Sequence, residues 1–351
     1  DINAFAMEDE AVKNMSERDI EAAKRVYGMV TNIDDNIGKL MDLLKNENLE
    51  QNTIVVFLTD NGPQQVRYKL GLRKRKSSVY SGGVRVPCLI RYPKKFQEKH
   101  DINTRLAHID LLPTILDICG INQPDHMIDG LSFINEYDNA INAFSERTLF
   151  FEWGRGFPVK YRNFAAILGE YKLVGNTEAN SDISDFELYH LTSDPFEKTN
   201  RVEEEVETAT GLKRRMDSWY EEIINEKNNR RVLPAYIGSE FENPAVLNRN
   251  DAKGSPPPWG RGSVLGYWDV KILETGNYDV KIQFIDTISE EGHLHLKLYP
   301  QYLVQNNSAK SDALSFKNIA LQQGDYKLEA YYQTRKRQFI FPLYVSIQKL
   351  D

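Results

Sequence analysis

The chain has 351 residues, of which 41% are apolar and 27% charged, with a formal net charge of −7 and a pI near 5.6. That length leaves room for about two domains. The acidic balance, with no basic stripe to offset it, excludes nucleic acid as the main partner. No stretch reaches the ~18 consecutive apolar residues of a transmembrane helix, and no signal peptide is visible.

From the start, Asp1 to Asn14 is acidic and without periodicity, and does not read as a natural beginning. Residues 17 to 46 read as one helix, because Ala23, Val26, Val30, Ile33, Ile37, Leu40 and Leu44 recur at three- and four-residue spacing. Ser16 is the candidate N-cap, with Asp19 where a capping-box acid would stand. Asp34 and Asp35 could suggest metal work, but a solvated helix face explains them as well.

A polar turn leads to Ile54-Val55-Val56-Phe57-Leu58, a β-branched run suited to a strand buried on both faces. It ends in Thr59-Asp60-Asn61-Gly62-Pro63. In an open α/β sheet, sites gather past the carboxyl ends of strands. Asp60 and Asn61 supply the hard oxygens that Ca²⁺ or Mg²⁺ requires; Asp-Asn-Gly alone is also a common turn. Beyond it come Gly71-Leu72-Arg73-Lys74-Arg75-Lys76 and Tyr80-Ser81-Gly82-Gly83-Val84-Arg85-Val86-Pro87. The four consecutive cations are a solvated loop or, beside Asp60 and Asn61, an attraction for an anionic substrate.

These residues resemble the sulfatase family of the alkaline-phosphatase superfamily, whose pattern is a strand ending in (S/T)DNG, a variable loop, then GLRxxKxxxYEGGxRVP. Two positions depart from it: Arg75 stands where the family usually has Gly, and Ser81 where it usually has Glu. The resemblance implies that Asp60 and Asn61 bind the metal and that Lys76 is catalytic, its charge beside the sulfate and leaving oxygen. Arg73 becomes a candidate substrate contact. The family's nucleophile is a formylglycine made from Cys or Ser in C/S-x-P-x-R. Neither Cys88, followed by Leu89-Ile90-Arg91, nor Cys119 fits, and no serine does. The resemblance therefore covers about residues 15 to 233 as the back half of a sulfatase, with the N-terminal half a missing partner.

Val86 to Tyr92 reads as a second buried strand, and Cys88 and Cys119 as small buried apolar residues without a disulfide framework. Leu106 to Ile115 matches the family's hxDLLPTI helix. There Asp110 caps or bonds nearby backbone, and His108 is a hydrogen-bonded structural histidine or a substrate contact.

Short strands follow at Leu149–Trp153, Phe164–Leu168, Tyr171–Val174 and Glu187–Leu191. Glu187 to Asn200 resembles the family's ELYDLxxDPxExxN, with His190 in place of Asp, and a helix is expected from Glu203 to Asn228. The loop Trp153-Gly154-Arg155-Gly156-Phe157 offers an aromatic and a cation, Trp153 and Arg155, for an acidic sugar, or is an ordinary surface turn.

After a polar linker at Asn228–Pro234 the helical period disappears. Alternating runs at Val270–Ile272, Tyr278–Phe284, His293–Leu298, Tyr326–Tyr331 and Leu343–Ile347 indicate a β-sandwich. His293 and His295 share a face with metal-like spacing but no third ligand, so they read as exposed strand residues. Trp259, Tyr267 and Trp268 stack on sugar or pack a core.

The expected fold is α/β, part of a doubly wound alkaline-phosphatase-like sheet, then a small antiparallel subdomain and an all-β sandwich. The boundaries fall at 1–145, 146–233 and 234–351. By resemblance the whole protein is a periplasmic or secreted sulfuric ester hydrolase using Ca²⁺ (or Mg²⁺). Its substrate would be a sulfated carbohydrate or aryl sulfate ester, and this chain alone would be inactive. The alternatives are a phosphoryl or phosphonate hydrolase of the same superfamily and a non-catalytic carbohydrate-binding fragment.

Overall fold

The computed structural model describes residues 10–96, 99–134, 144–154, 158–225, 233–254, 258, 265–308 and 310–350. Backbone contacts divide the chain into two compact units, Asp1–Arg230 and Arg231–Asp351.

After a single helical turn at Glu10–Lys13, the first unit forms its long helix α1 (Glu17–Asn46). Ser16 caps it in a full capping box: the Ser16 hydroxyl accepts from the Asp19 amide, and Asp19 accepts from the Ser16 amide, both at 3.2 Å. Asp34 and Asp35 lie on its solvated face. Only Ala23, Val26 and Leu44 are buried, whereas Val30, Ile33, Leu40 and Leu43 remain exposed.

Strand β1 (Val55–Leu58) pairs antiparallel with β2 (Cys88–Arg91), Val55 opposite Arg91 and Leu58 opposite Cys88. An antiparallel edge strand is common on otherwise parallel sheets. Both strands are less buried than their apolar character suggests. β1 is half-buried throughout and Leu89 of β2 is 65% exposed, each strand having one hydrogen-bonded neighbour among the described residues. For the same reason Cys88 is exposed. Cys119 is exposed too, because it ends helix α3 (Leu111–Cys119) against the left-handed Gly120. The expectation of two buried cysteines is thus corrected. The short helix α2 (Ser81–Val84) separates the two strands in sequence.

The antiparallel meander β3 (Thr148–Glu152), β4 (Phe164–Leu168), β5 (Tyr171–Gly175), β6 (Glu187–His190) has that spatial order. Gly169, with φ +53, makes the tight turn between β4 and β5. Helix α4 (Val206–Asn225) lays Ala209, Leu212 and Met216 on Phe164, Ala166, Leu173 and Leu188, and Trp219 stacks on Phe150 with centroids 5.0 Å apart. The expected helix start at Glu203 is three residues early; the end expected at Asn228 lies outside the described residues.

In the second unit, β7 (Ala235–Ile237), β8 (Ala245–Asn248), β9 (Trp268–Ile272), β10 (Gly276–Ile288) and β11 (Gly292–Leu298) are followed by β12 (Gln301–Asn307), β13 (Ser311–Leu321), β14 (Gly324–Thr334), β15 (Phe339–Ile340) and β16 (Tyr344–Lys349). They form one sheet ordered β13-β10-β16-β8 and another ordered β12-β11-β14-β9-β7, with β15 on β14. Alternate residues of both sheets, such as Val280, Ile282, Val345, Leu296, Leu328 and Val270, share one core cluster. The β9–β10 connection crosses from one sheet to the other and is not a hairpin.

Trp268 belongs to that core, stacked on Phe341 at 5.0 Å and donating Nε1–H to the Asn248 carbonyl at 2.8 Å. Tyr267 is half-buried under the Lys327 ammonium, and Trp259 lies outside the described residues. His293 is exposed, as its alternation predicts, but His295 is buried. It is held between the rings of Tyr331 and Tyr302, at 4.5 and 5.8 Å, and its Nδ1 lies 2.6 Å from the Tyr302 hydroxyl.

Candidate active site

The turn after β1 and the loop before α2 are one backbone knot. The Gly62 amide donates to the Gly83 carbonyl at 2.7 Å, the Lys76 amide to Pro63 at 3.0 Å and the Gly82 amide to Arg73 at 2.8 Å. Gly62, Gly82 and Gly83 are glycines because the strands of this knot touch. A Cβ at Gly62 would collide with the Gly82 carbonyl, one at Gly82 with the carbonyls of Arg73 and Lys74, and one at Gly83 with that of Ser78. Residues from two motifs, Asp60 and Asn61 on one side and Lys76 on the other, thereby issue from a single framework.

Asp60 is exposed and its Oδ1 accepts from the Asn61 amide at 2.9 Å. Together with the Asn61 amide oxygen it fits the donor chemistry of a hard divalent cation. It fits only in part: no group of three or more His, Cys, Asp or Glu is arranged for a metal among the described residues. Lys76 is exposed and makes no ion pair among the described residues. His108, also exposed, places Nε2 at 3.1 Å from the carbonyl of Thr59, the residue before Asp60; that carbonyl accepts, so Nε2 is the donor. Trp153 is 39% exposed. Arg155 lies outside the described residues.

Arg73 points the other way, into the meander. Its Nη1 donates to the Tyr189 hydroxyl and, at 2.8 Å, to the Glu197 carbonyl; Nη2 lies 3.4 Å from Glu187; and its plane covers the Tyr80 ring at 4.4 Å. Tyr80 also donates to Glu187, as Tyr189 does at 2.7 Å. Burial, then the hydrogen bond to Glu187, pushes both phenols far above their ordinary range. Among the described residues the polar contacts of the Arg73 guanidinium are all within the protein, and they brace the knot, although the side chain is 31% exposed.

The second brace is Glu197, which the sequence reading did not single out. It is wholly buried, accepts from the Lys172 ammonium at 2.6 Å with Oε1 and from the Ser81 amide at 2.8 Å with Oε2. Lys172 is equally buried, and burial lowers its pKa against the pull of Glu197. A further missed partner is Arg147, whose guanidinium meets the buried Asp110 at 2.5 and 2.6 Å. Asp110 also accepts from the amides of Ala107 and Leu131, at 2.7 and 3.0 Å, satisfying the expectation that it bonds nearby backbone. The signal for Glu197 was present in Asp194-Pro195-Phe196-Glu197; its target, an amide over a hundred residues earlier, was not.

The family model Sulfatase matches residues 3–121, and N-sulphoglucosamine sulphohydrolase, C-terminal, matches residues 73–223. Residues 3–223 belong to the sulfatase family.

An endo-4-O-sulfatase of Bacteroides thetaiotaomicron is 25% identical over 227 residues, 58% of this chain and 44% of that protein. The structure of Ps i-CgsB in complex with k-i-k-neocarrahexaose superposes with a TM-score of 0.50 at 24% identity, covering 62% of this chain and 46% of that one. The yidJ protein of Bacteroides fragilis gives a TM-score of 0.51 at 20% identity, covering 66% and 49%. The fold of the first unit is therefore the alkaline-phosphatase-like fold of sulfatases, and the chain spans less than half the length of these relatives.

Across the matched range, Arg73, Tyr80 and Ser81 of the first motif are bonded to Glu187, Tyr189 and Glu197 of the second. The departure at Ser81 leaves this intact, because Glu197 binds the backbone amide of residue 81. At His190, which stands in place of the Asp of the second motif, Nδ1 accepts from the Ser193 amide at 3.3 Å while Nε2 faces Glu170 at 3.2 Å.

Proposed function

We propose that this chain is the part of a sulfuric ester hydrolase that carries the anion-binding lysine and part of the metal shell, and that the substrate is a sulfated carbohydrate. The observation that carries the reading is the knot itself. It brings the Asp60-Asn61 turn and the Lys76 loop onto one rigid framework through the bonds from Lys76 to Pro63 and from Gly62 to Gly83. Asp60 and Asn61 would hold a Ca²⁺ or Mg²⁺ ion, which when bound supplies Lewis-acid stabilisation of sulfate oxygen. The Lys76 ammonium, a compact point charge, stabilises the charge that grows on the sulfate and the leaving oxygen. His108 and Trp153 stand at the margins of this region as substrate contacts, with Arg155 beside Trp153 in sequence. Arg73 serves the same site by bracing the loop.

The remaining metal ligands and the nucleophile, a formylglycine by family pattern, would come from sequence outside this chain. The exposed Val30, Ile33, Leu40 and Leu43 of α1 and Leu89 of β2 support a covering by that part. Sulfated-carbohydrate substrates are favoured because the similar proteins include an endo-4-O-sulfatase and a carrahexaose complex. A periplasmic or secreted location accords with such polymers; no helix among the described residues is long and apolar enough to cross a membrane.

The test is Lys76→Ala in the full-length protein. Loss of one preorganised charge costs about 3–4 kcal/mol, so turnover of an aryl sulfate is expected to fall roughly 10²-fold or more with the thermal transition unmoved. Unchanged turnover would remove Lys76 from the chemistry. Faster turnover of an aryl phosphate or phosphonate than of the sulfate would select the phosphoryl-hydrolase reading instead.

A further inference from the structure

Lys76 sits in a strained segment. Lys74 and Ser77, on either side of it, have φ of +60 and +71. Non-glycine residues in the left-handed region are strained and persist only where their surroundings over-determine them. Two attachments do so here. One is the bond from the Lys76 amide to Pro63. The other is Asn163, at the start of the β4 hairpin and more than eighty residues away.

The Asn163 side chain spends its polar atoms on this task. Nδ2 donates to the Ser77 carbonyl at 3.1 Å and to the Trp153 carbonyl at 3.0 Å, and Oδ1 accepts from the Val79 amide at 3.3 Å. Its backbone carbonyl accepts from the Trp153 amide at 3.2 Å. Asn163 itself has φ +58, a conformation that asparagine tolerates better than most residues. One carboxamide therefore joins the segment that carries Lys76 to the end of β3 that carries Trp153.

We propose that Asn163 is a positioning residue for Lys76, fixing the lysine loop and setting it in register with the Trp153 loop. This rests on the reading of Lys76 as the anion-binding charge. Glycine at 163 removes the side chain while accepting the left-handed backbone. Aspartate keeps the Oδ1 acceptor but loses both donations and faces two carbonyls with a carboxylate. Both variants should loosen the loop.

The experiment compares Asn163→Gly, Asn163→Asp, Lys76→Ala and the double variant Lys76→Ala/Asn163→Gly in the full-length protein. Two readouts are followed: hydrogen exchange at the Val79 amide and turnover of an aryl sulfate. Expected is at least a tenfold loss of Val79 protection in Asn163→Gly, with the amides of Gly62 and Gly83 unchanged, whereas Asn163→Asp keeps the Val79 acceptor and with it the protection. Both Asn163 variants are expected to lower kcat, Asn163→Gly about tenfold, while the double variant is no slower than Lys76→Ala alone. Unaltered Val79 protection in Asn163→Gly overturns the proposal. So does a further tenfold loss of kcat in the double variant, because Asn163 would then not act through Lys76. If protection falls but Lys76→Ala leaves turnover intact, the restraint on the loop is upheld and the reading of Lys76 as the anion-binding charge is what fails.

Discussion

Glu197 is a buried charge that holds two distant parts of the first unit. Glu197→Ala removes the counter-charge of Lys172, which has no exposure to solvent, and the acceptor of the Ser81 amide. Breaking a buried ion pair by deleting one partner costs about 3–5 kcal/mol, because the other charge stays buried and uncompensated. The orphaned amide, only part-buried, adds about 1 kcal/mol. Lys172 limits the loss by releasing its proton, a step that burial already favours. The expected net is about 4 kcal/mol, a large share of the 5–15 kcal/mol that holds a typical domain together. Glu197→Gln keeps an acceptor for Ser81 and is expected to cost about 3 kcal/mol. Adding Lys172→Met to it should recover about 2 kcal/mol, since removing both charges is often near neutral. The assay is urea unfolding followed by hydrogen exchange at the amides of β5 and β6. Those amides report the first unit, whereas tryptophan emission would mix in Trp268 of the second. A loss below about 1 kcal/mol for Glu197→Ala, or no recovery in the double variant, would refute the argument that Glu197 is a buried brace whose charge Lys172 compensates.

Gly82→Ala is expected to destabilise the first unit by more than about 4 kcal/mol, because the new Cβ meets the backbone carbonyls of Arg73 and Lys74 and not a movable side chain. Gly28→Ala, on open α1 surface, should instead stabilise by about 0.5–1 kcal/mol; a thermal melt showing equal effects for the two would refute the close-contact account. The second unit should lose stability below pH 6.5. Burial first, then His293 and Lys297 on the same strand, lowers the His295 pKa from its ordinary 6.5, with a partial offset from Gln333 on β14. Tyr302 on β12 and Tyr331 on β14 stack on it, and Glu329 on β14 pairs with Lys297. The unfolded chain therefore binds a proton that the folded one refuses. The contribution of neutral His295 is complete above 6.5 and is lost as pH falls toward the folded value, with a slope of at most about 1.4 kcal/mol per pH unit. Urea melts of the second unit between pH 7 and 5 check this, and a slope unchanged in His295→Gln would count against it.

Local signals in the sequence were sufficient for α1 and the β4–β5 hairpin. Each is decided within a few residues, by helical period and capping or by apolar runs around a turn. The family of the first unit was legible for the same reason, since its motifs are runs of such local constraints. The polar strand β12 and the half-buried β13 escaped notice, because edge and half-solvated strands carry little apolar alternation. What the sequence could not show was partnership at long range. Cys88 looks like a core residue until its strand is found with a single neighbour among the described residues, and His295 looks exposed until Tyr302 and Tyr331 close on it from adjacent strands. Arg73 reads as a cation awaiting substrate until Glu187, Tyr189 and Glu197 are brought to it from more than a hundred residues away. Burial and charge compensation belong to pairs of residues, and only the folded chain decides which pairs form.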